Sequence, residues 1–271
     1  MNKILMRVLL IILIIAVVVG TGVISYGIYR KVTFKPQNPI ATMEVEGYGT
    51  IKLELYPDKA PNTVANFIRL ANRGFYDDLT FHRTMPNFVI QGGDKAGNGS
   101  GSPSLSDIMD GVAEDKQYNI PGEFIANGYT KNNIKHEKGV ISMARSDYSQ
   151  YSSSLTTQGY NSAGSQFFIM TETNSYLDGT YAAFGRVIEG MDVVEKIGKT
   201  EVHYRDSELK EGEEAPKDKD GETIASDTPK KAPVIKKLTV ETFGIDYGMP
   251  QTNDVFDAYA WMMQQYGIMG Y

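Results

Sequence analysis

Residues 81–94 read Phe81-His82-Arg83-Thr84-Met85-Pro86-Asn87-Phe88-Val89-Ile90-Gln91-Gly92-Gly93-Asp94. Within this stretch, the mostly apolar run 88–91 has the composition of a short strand. The glycines after it begin a loop, rich in glycine and serine, that extends to Pro103. The pattern therefore predicts a short strand followed at once by an irregular loop.

Further strand patterns lie on both sides of this stretch. Apolar residues alternate around Gly47-Tyr48-Gly49 and predict a β-hairpin, and a helix with one apolar stripe begins at Pro61 and ends at Gly74. Towards the C terminus, a short helix fits Met191–Ile197, and strand-like runs occur at 139–144, 166–171, 182–187 and 233–243. Many short strands with two modest helices predict a β-barrel or sandwich with helical covers.

The first thirty-one residues differ from everything that follows. Only apolar, small or weakly polar residues lie between Arg7 and Arg30, and roughly 20 such residues in a helix cross a bilayer. We predict a transmembrane anchor at 1–31 and a linker at 32–38. The alternative is a cleaved secretory signal with its apolar core at 8–19. The expected location is the cell membrane, single-pass with the domain extracytoplasmic, or secreted after cleavage.

Composition argues against several classes of site. A net charge of −6 without a concentrated basic face argues against a nucleic-acid partner, and the absence of cysteine excludes disulfides and thiolate sites. The three histidines, His82, His136 and His203, stand far apart in sequence, which disfavours a histidine-based metal site. We therefore predict no metal and no cofactor.

The 81–94 stretch closely resembles the signature of the cyclophilins, and three further segments occur in that family's order. They are Gly139-Val140-Ile141-Ser142-Met143-Ala144, Asn161-Ser162-Ala163-Gly164-Ser165-Gln166-Phe167-Phe168-Ile169, and Leu177-Asp178-Gly179 with Phe184-Gly185-Arg186-Val187. The similarity covers about 39–200 and resumes at 235–243. It implies a closed, eight-stranded antiparallel barrel capped by two helices over 39–244, with its active site on the outer surface because side chains fill the interior. Loops 146–160 and 205–232 would be insertions, and 245–271 a tail that could contain a helix.

The resemblance also implies an activity, peptidyl-prolyl cis–trans isomerisation. The barrier to rotation about a peptide bond is about 18–20 kcal/mol, because the nitrogen lone pair is delocalised into the carbonyl. In the twisted state that lone pair becomes available, so a fixed cationic donor stabilises the twisted state more than the planar ones. Arg83 matches the family's catalytic arginine, and a guanidinium suits the role because it stays charged and presents several donors.

The family's motifs assign the remaining site residues. Phe88, Phe168 and Leu177 would form the apolar pocket for the prolyl ring, with Val89 at its edge. The other matched positions are Gln91 and Gln166, which would orient the arginine or bind substrate backbone, and Ala144 and Arg145, which would pair with the extended peptide.

Three further positions carry separate expectations. Tyr176 stands where cyclosporin-sensitive relatives carry Trp, so we expect weak cyclosporin binding with catalysis retained. Tyr181 replaces a histidine of many relatives at the pocket wall, which could change the preferred residue before proline. His82 is interpreted as structural, with an accessory role as the alternative.

Two functions remain open on this reasoning. The first is an isomerase that acts on proline-containing polypeptide clients outside the cytoplasm. The second is a chaperone-like module that binds proline segments with little turnover. The complete set of matched residues favours the first, whereas loop 146–160 and the tail leave room for the second.

Overall fold

The computed structural model describes residues 3–33, 37–209, 213–219 and 221–265. The chain forms two compact units, Met1–Gln37 and Asn38–Tyr271, which we describe separately. Parts of the predicted linker (34–36), of the predicted insertion (210–212 and 220) and of the predicted tail (266–271) lie outside the described residues.

The first unit contains one helix, α1 (Lys3–Thr33). Within the described part of the chain, no helix combines the length and the apolar character that a bilayer crossing demands. The predicted transmembrane anchor at 1–31 is therefore wrong.

The second unit carries an eight-stranded sheet with helices. Its elements are β1 (Ile40–Val45), β2 (Gly49–Leu55), α2 (Pro61–Asn72), β3 (Phe81–Met85), β4 (Val89–Gly92), α3 (Leu105–Ile108), β5 (Tyr118–Asn119), β6 (Val140–Met143), α4 (Thr156–Tyr160), β7 (Phe167–Met170), β8 (Ala183–Glu189), α5 (Met191–Gly198), β9 (Ile235–Glu241), β10 (Asn253–Asp254) and α6 (Ala258–Gln265). The predicted hairpin, strands and two covering helices are therefore present. Loop 146–160, predicted as irregular, contains two 3₁₀ turns and α4.

The sheet is open, so the predicted closed barrel is wrong. The strand order is β3-β4-β7-β6-β8-β2-β1-β9, and every neighbouring pair is antiparallel. Between the two outermost strands, the described residues form a single bridge, Thr80↔Val234, instead of a ladder. Pro233 lies at this crossing and has no N–H to donate, which limits continued pairing there. The result is a half-barrel.

The interior of the half-barrel is filled by one apolar cluster. Helix α2 starts with Pro61 and buries Val64, Phe67 and Leu70 against the strands, while Val194 and Ile197 do the same from α5. The N-terminus of α2 is held by the Glu123 carboxylate, which accepts hydrogen bonds from the backbone N–H groups of Asn62 (3.0 Å) and Thr63 (2.7 Å). A carboxylate is stabilising at this end of a helix because it satisfies free N–H groups.

Strands β4, β6 and β7 bury both of their faces. Paired residues of neighbouring strands point to the same side, and successive residues alternate sides. Ile90, Ile169 and Ile141 are in register and belong to the interior cluster. The intervening residues point outward, into a second, smaller apolar cluster described below.

Candidate active site

A row of paired residues crosses the outer face of the sheet. Arg83 on β3 pairs with Gln91 on β4, Gln91 with Phe168 on β7, and Phe168 with Ser142 on β6. The register therefore sets a cation and an amide beside an aromatic ring, although the four residues come from four separate segments of the chain.

An apolar notch lies at the aromatic end of this row. Val89 and Phe168 are buried in the outer cluster, together with Val140, Met170 and Ala183. Five partly buried side chains pack against them: Phe88, Ile134, Ala144, Leu177 and Tyr181. All four residues predicted for the proline pocket therefore belong to one cluster, together with predicted neighbours on other segments.

The ring of Phe168 is held from two sides. The Tyr181 ring meets it edge-on at 5.6 Å between centroids, and the His136 ring stacks on it at 6.0 Å. His136 is buried, with Nδ1 3.3 Å from Asp178 Oδ1 and Nε2 3.1 Å from Ser142 Oγ. Burial lowers the pKa of His136, although the Asp178 carboxylate opposes this. The neutral imidazole of His136, which has a hydrogen-bond partner at each ring nitrogen, thus holds the Phe168 ring at the floor of the notch.

Arg83 keeps a partly free side chain above the sheet. Its side chain is 39% exposed, its Nη2 donates to Met85 Sδ at 3.1 Å, and its Nε lies 3.9 Å from Asp227 Oδ2. Sulfur is a weak acceptor, so most of the guanidinium's donor capacity stays available.

Asp227 is the residue near Arg83 that sequence reasoning missed. Its carboxylate is buried, and its Oδ1 lies 2.6 Å from Nη1 of Arg205, so Asp227 bridges two arginines. Both Asp227 and Arg205 come from the predicted insertion 205–232. No local motif marks Asp227, because its partner Arg83 is remote in sequence.

The two glutamines form a chain of hydrogen bonds beside the row. Gln91 Nε2 donates to Gln166 Oε1 at 3.1 Å, and Gln166 Nε2 donates to the carbonyls of Gly99 (2.9 Å) and Gly101 (3.0 Å). Both side chains are thereby oriented. They also line a groove of about 910 Å³, which shares Ala144 with the apolar notch.

Three other residues predicted for the site, Arg145, Tyr176 and His82, lie outside the row of paired residues. The Arg145 side chain donates from Nε to the Thr180 carbonyl (3.0 Å) and lies over the Tyr181 ring at 4.6 Å, so it braces the notch. Tyr176 is 92% exposed. His82 is buried and neither ring nitrogen has a hydrogen-bond partner among the described atoms, which gives it no direct place in the row.

The described ranges contain no group of three or more His, Asp or Glu side chains that could hold a metal ion. The chemistry that the arrangement offers is instead a cationic donor, two oriented amides and an apolar notch. These groups can bind a ring and a neighbouring carbonyl without forming a covalent bond.

Comparison with known proteins bears on this arrangement. The family model described as cyclophilin type peptidyl-prolyl cis-trans isomerase/CLD matches residues 40–226. Peptidyl-prolyl cis-trans isomerase B of Bacillus subtilis is 39% identical over 158 residues, which cover 58% of this chain and 90% of that protein. Peptidyl-prolyl cis-trans isomerase-like 2 of Rhizopus delemar is 37% identical over 179 residues, 66% of this chain but only 28% of the longer relative.

A solved structure shares the fold. The cyclophilin type isomerase of Cryptosporidium parvum, crystallised in the presence of the dipeptide Ala-Pro, superposes with a TM-score of 0.52 and 25% identity, covering 74% of this chain and 98% of that one. The family match spans more than half of the chain and includes all the predicted site residues. This chain belongs to the cyclophilin type of peptidyl-prolyl cis–trans isomerases.

Proposed function

We propose that this isomerase accelerates X–Pro rotation with Arg83 as the hydrogen-bond donor to the prolyl nitrogen in the twisted state. The observation that carries the proposal is the cross-strand row, which sets the Arg83 guanidinium one strand away from Gln91 and two from Phe168. The prolyl ring would sit against Phe168 in the outer notch. Rotation then swings the preceding carbonyl while the ring stays fixed.

The two glutamines and Ala144 would hold the peptide on either side of the rotating bond. Gln91 and Gln166 are oriented by their own hydrogen bonds, so they lose little freedom when a client binds. Ala144 lies where the notch meets the groove. A peptide held at both points presents its X–Pro bond to Arg83 in one orientation.

The test is the cis-to-trans conversion of a short proline peptide by the full chain and by Arg83→Ala. We expect kcat/KM to fall on the order of 100- to 1000-fold, the usual loss when one preorganised donor is removed. Arg83→Lys should recover little, because an ammonium lacks the planar fork. Arg186→Ala, which removes an exposed arginine paired with Glu137, is the matched control. Equal rates for Arg83→Ala and the native chain would refute the assignment.

We further propose that the clients are extracytoplasmic. Support comes from Lys3 and Arg7 before the apolar run 8–19, which is the pattern of a secretory signal. The test is the mass of the mature protein from its natural host together with its location. An intact mass in the cytoplasmic fraction would contradict export.

Weak binding of cyclosporin is the remaining part of the proposal. It rests on Tyr176, which is exposed beside the notch residue Leu177 and stands where cyclosporin-sensitive relatives carry Trp. Replacing Tyr176 by Trp should increase inhibition by cyclosporin and leave isomerase activity largely intact. Strong inhibition of the native chain would contradict this part of the proposal alone.

A further inference from the structure

The groove beyond the catalytic row has a wall that the family match does not include. The groove is lined by Gln91, Ala144 and Gln166 and also by residues 255–259. The family model ends at residue 226, so this wall belongs to the C-terminal tail. The tail is part of the same compact unit as the sheet.

The tail is fastened to the domain at two places before it reaches the groove. The backbone N–H of Gln251 donates to Asn62 Oδ1 (2.6 Å), and Asn62 Nδ2 donates back to the Gln251 carbonyl (3.1 Å). Strand β10 then pairs with β5, with Asn253 opposite Asn119. The first fastening joins the Asn62 side chain to the Gln251 backbone and the second pairs two strands, so together they define where the following residues lie.

The fastened segment presents aromatic side chains at the groove. The Phe256 ring lies 5.2 Å from the ring of Tyr148, which belongs to loop 146–160 and also lines the groove. Tyr259, the first-turn residue of α6 on this wall, is 62% exposed. The glycine-rich residues 99–101 also line the groove, and the carbonyls of Gly99 and Gly101 accept hydrogen bonds from Gln166. Aromatic rings and backbone groups in one groove suit an extended client peptide with a large apolar side chain.

We propose that residues 255–259 determine client specificity: they form the wall of a subsite that takes a large apolar side chain of the client near its X–Pro bond. This inference rests on the proposed function, because it assigns the groove to the peptide that the notch and Arg83 hold. It names Phe256 and Tyr259 as the specificity-determining residues. They act on binding rather than on the rotating bond.

The tail is a wall and not a plug. Among the tail residues that the structure describes, 245–265, none belongs to the outer apolar cluster that forms the notch. The groove retains about 910 Å³ with the tail in place, near the upper end of the range of ligand pockets, roughly 300–1,000 Å³. A peptide can therefore enter while the tail remains paired with β5.

The first experiment compares proline peptides that differ in one side chain. In the reference peptide only glycine and alanine flank an Ala-Pro pair, and in the series a single phenylalanine is moved along either side. For the native chain, at least one position of phenylalanine should raise kcat/KM over the reference. The ratio of kcat/KM for that phenylalanine peptide to kcat/KM for the reference peptide should fall about 3- to 10-fold in Phe256→Ala and in Tyr259→Ala. This is the size of one aromatic contact.

Met249→Ala is the matched control, because Met249 is an exposed tail residue that does not line the groove. This substitution should leave kcat/KM unchanged for both the phenylalanine peptide and the reference peptide. The same ratio in Phe256→Ala, Tyr259→Ala and the native chain would overturn the proposal. Failure of the proposed function looks different, since the native chain would then not accelerate even the reference peptide.

A second experiment measures binding without catalysis. Trp261 is the only tryptophan of the chain and lies in α6, two residues beyond Tyr259. Titration with the preferred phenylalanine peptide should change its fluorescence, in the native chain and in Arg83→Ala alike. The reference peptide should produce a smaller change at equal occupancy of the notch. Unchanged fluorescence with the bound phenylalanine peptide would count against a tail subsite.

A third experiment asks whether the tail must move. Because the chain has no cysteine, Asn119→Cys with Asn253→Cys introduces a single disulfide across the β5–β10 pair, whose partners lie within disulfide reach. The oxidised and reduced forms of this variant should show the same peptide preference. Loss of activity on oxidation, restored by reduction, would mean that the tail is a lid and would overturn the wall.

Discussion

The inner and outer faces of strands β4, β6 and β7 are built from alternate residues of the same short segments, yet they have different surroundings. Ile169 points inward, is completely buried, and is covered by the domain's own helices. Its neighbour Phe168 points outward, is 5% exposed, and lies under partly buried side chains. One face is filled by the chain itself, whereas the other leaves a notch. A single step along a strand therefore separates the packed interior from the partly open outer cluster.

The largest effect is expected from a substitution on the inner face. Ile169→Ala should lower the free energy of unfolding by about 2–5 kcal/mol, because it leaves a cavity in the close-packed interior. The kcat/KM per folded molecule should stay near that of the native chain. Urea unfolding and the peptide assay measure the two quantities. A large loss of activity in the folded fraction would show that the two faces are not independent.

The matching change on the outer face is Phe168→Leu. It should reduce kcat/KM about 10-fold, because the prolyl ring loses its aromatic contact, and should cost less than about 1.5 kcal/mol of stability. The same two assays apply. If stability fell as far as in Ile169→Ala while activity persisted, the outer cluster would be ordinary core.

A smaller effect is expected from a substitution of Asp227, the carboxylate beside Arg83. Asp227→Asn removes the buried charge 3.9 Å from Arg83 Nε, and asparagine tolerates the left-handed φ of +61° at this position. Arg83 would be held less firmly, so kcat should fall roughly 3- to 10-fold with little change in KM, as for a positioning interaction of about 1 kcal/mol.

Glu189→Gln is the charge-matched control for Asp227→Asn, because Glu189 forms an exposed ion pair with Lys52. It should leave both kinetic constants as they are. A rise in KM with constant kcat in Asp227→Asn would assign the carboxylate to binding instead of to the placement of Arg83.

The smallest expected effect concerns pH. Burial lowers the pKa of His82 and of His136 below the ordinary value of 6.5, so the unfolded chain takes up protons more readily than the folded one. The contribution of these two histidines to stability is therefore fully present above about pH 6.5 and is lost as the pH falls below it. His82→Leu should make the urea midpoint less sensitive to acid. The urea midpoint of each protein is measured at pH 7.5 and at pH 5. If the midpoint of His82→Leu falls between these two pH values as much as that of the native chain, the prediction is wrong.

Much of the fold follows from local sequence signals. The strands around Ile141 and Phe168 and the helix that begins at Pro61 agree with the predictions, because alternation and turn residues act over short distances. The family resemblance supplied the grouping of Phe88 with Leu177, which no local pattern could have done. The roles of these residues in catalysis stay predictions.

Other features depend on distant contacts or on length. Closure of the sheet depends on how β3 meets the segment around Pro233, and the single bridge there could not be read from either segment alone. The transmembrane assignment was wrong, because no helix in the described part of the chain is both long enough and apolar enough to cross a bilayer. The approach of Asp227 to Arg83 likewise rests on an irregular insertion. The two-residue strand β10 is too short to give a periodic pattern.

The pairing of β1 with β9 joins the first strand of the half-barrel to its last long one. During synthesis on the ribosome, β1 and β2 emerge long before residues 235–241, so one edge of the growing sheet waits without a partner. Free edges are templates for aggregation. We therefore expect that nascent chains stalled before β9 aggregate with one another or bind chaperones. The half-barrel should be completed only when residues 235–241 have been added.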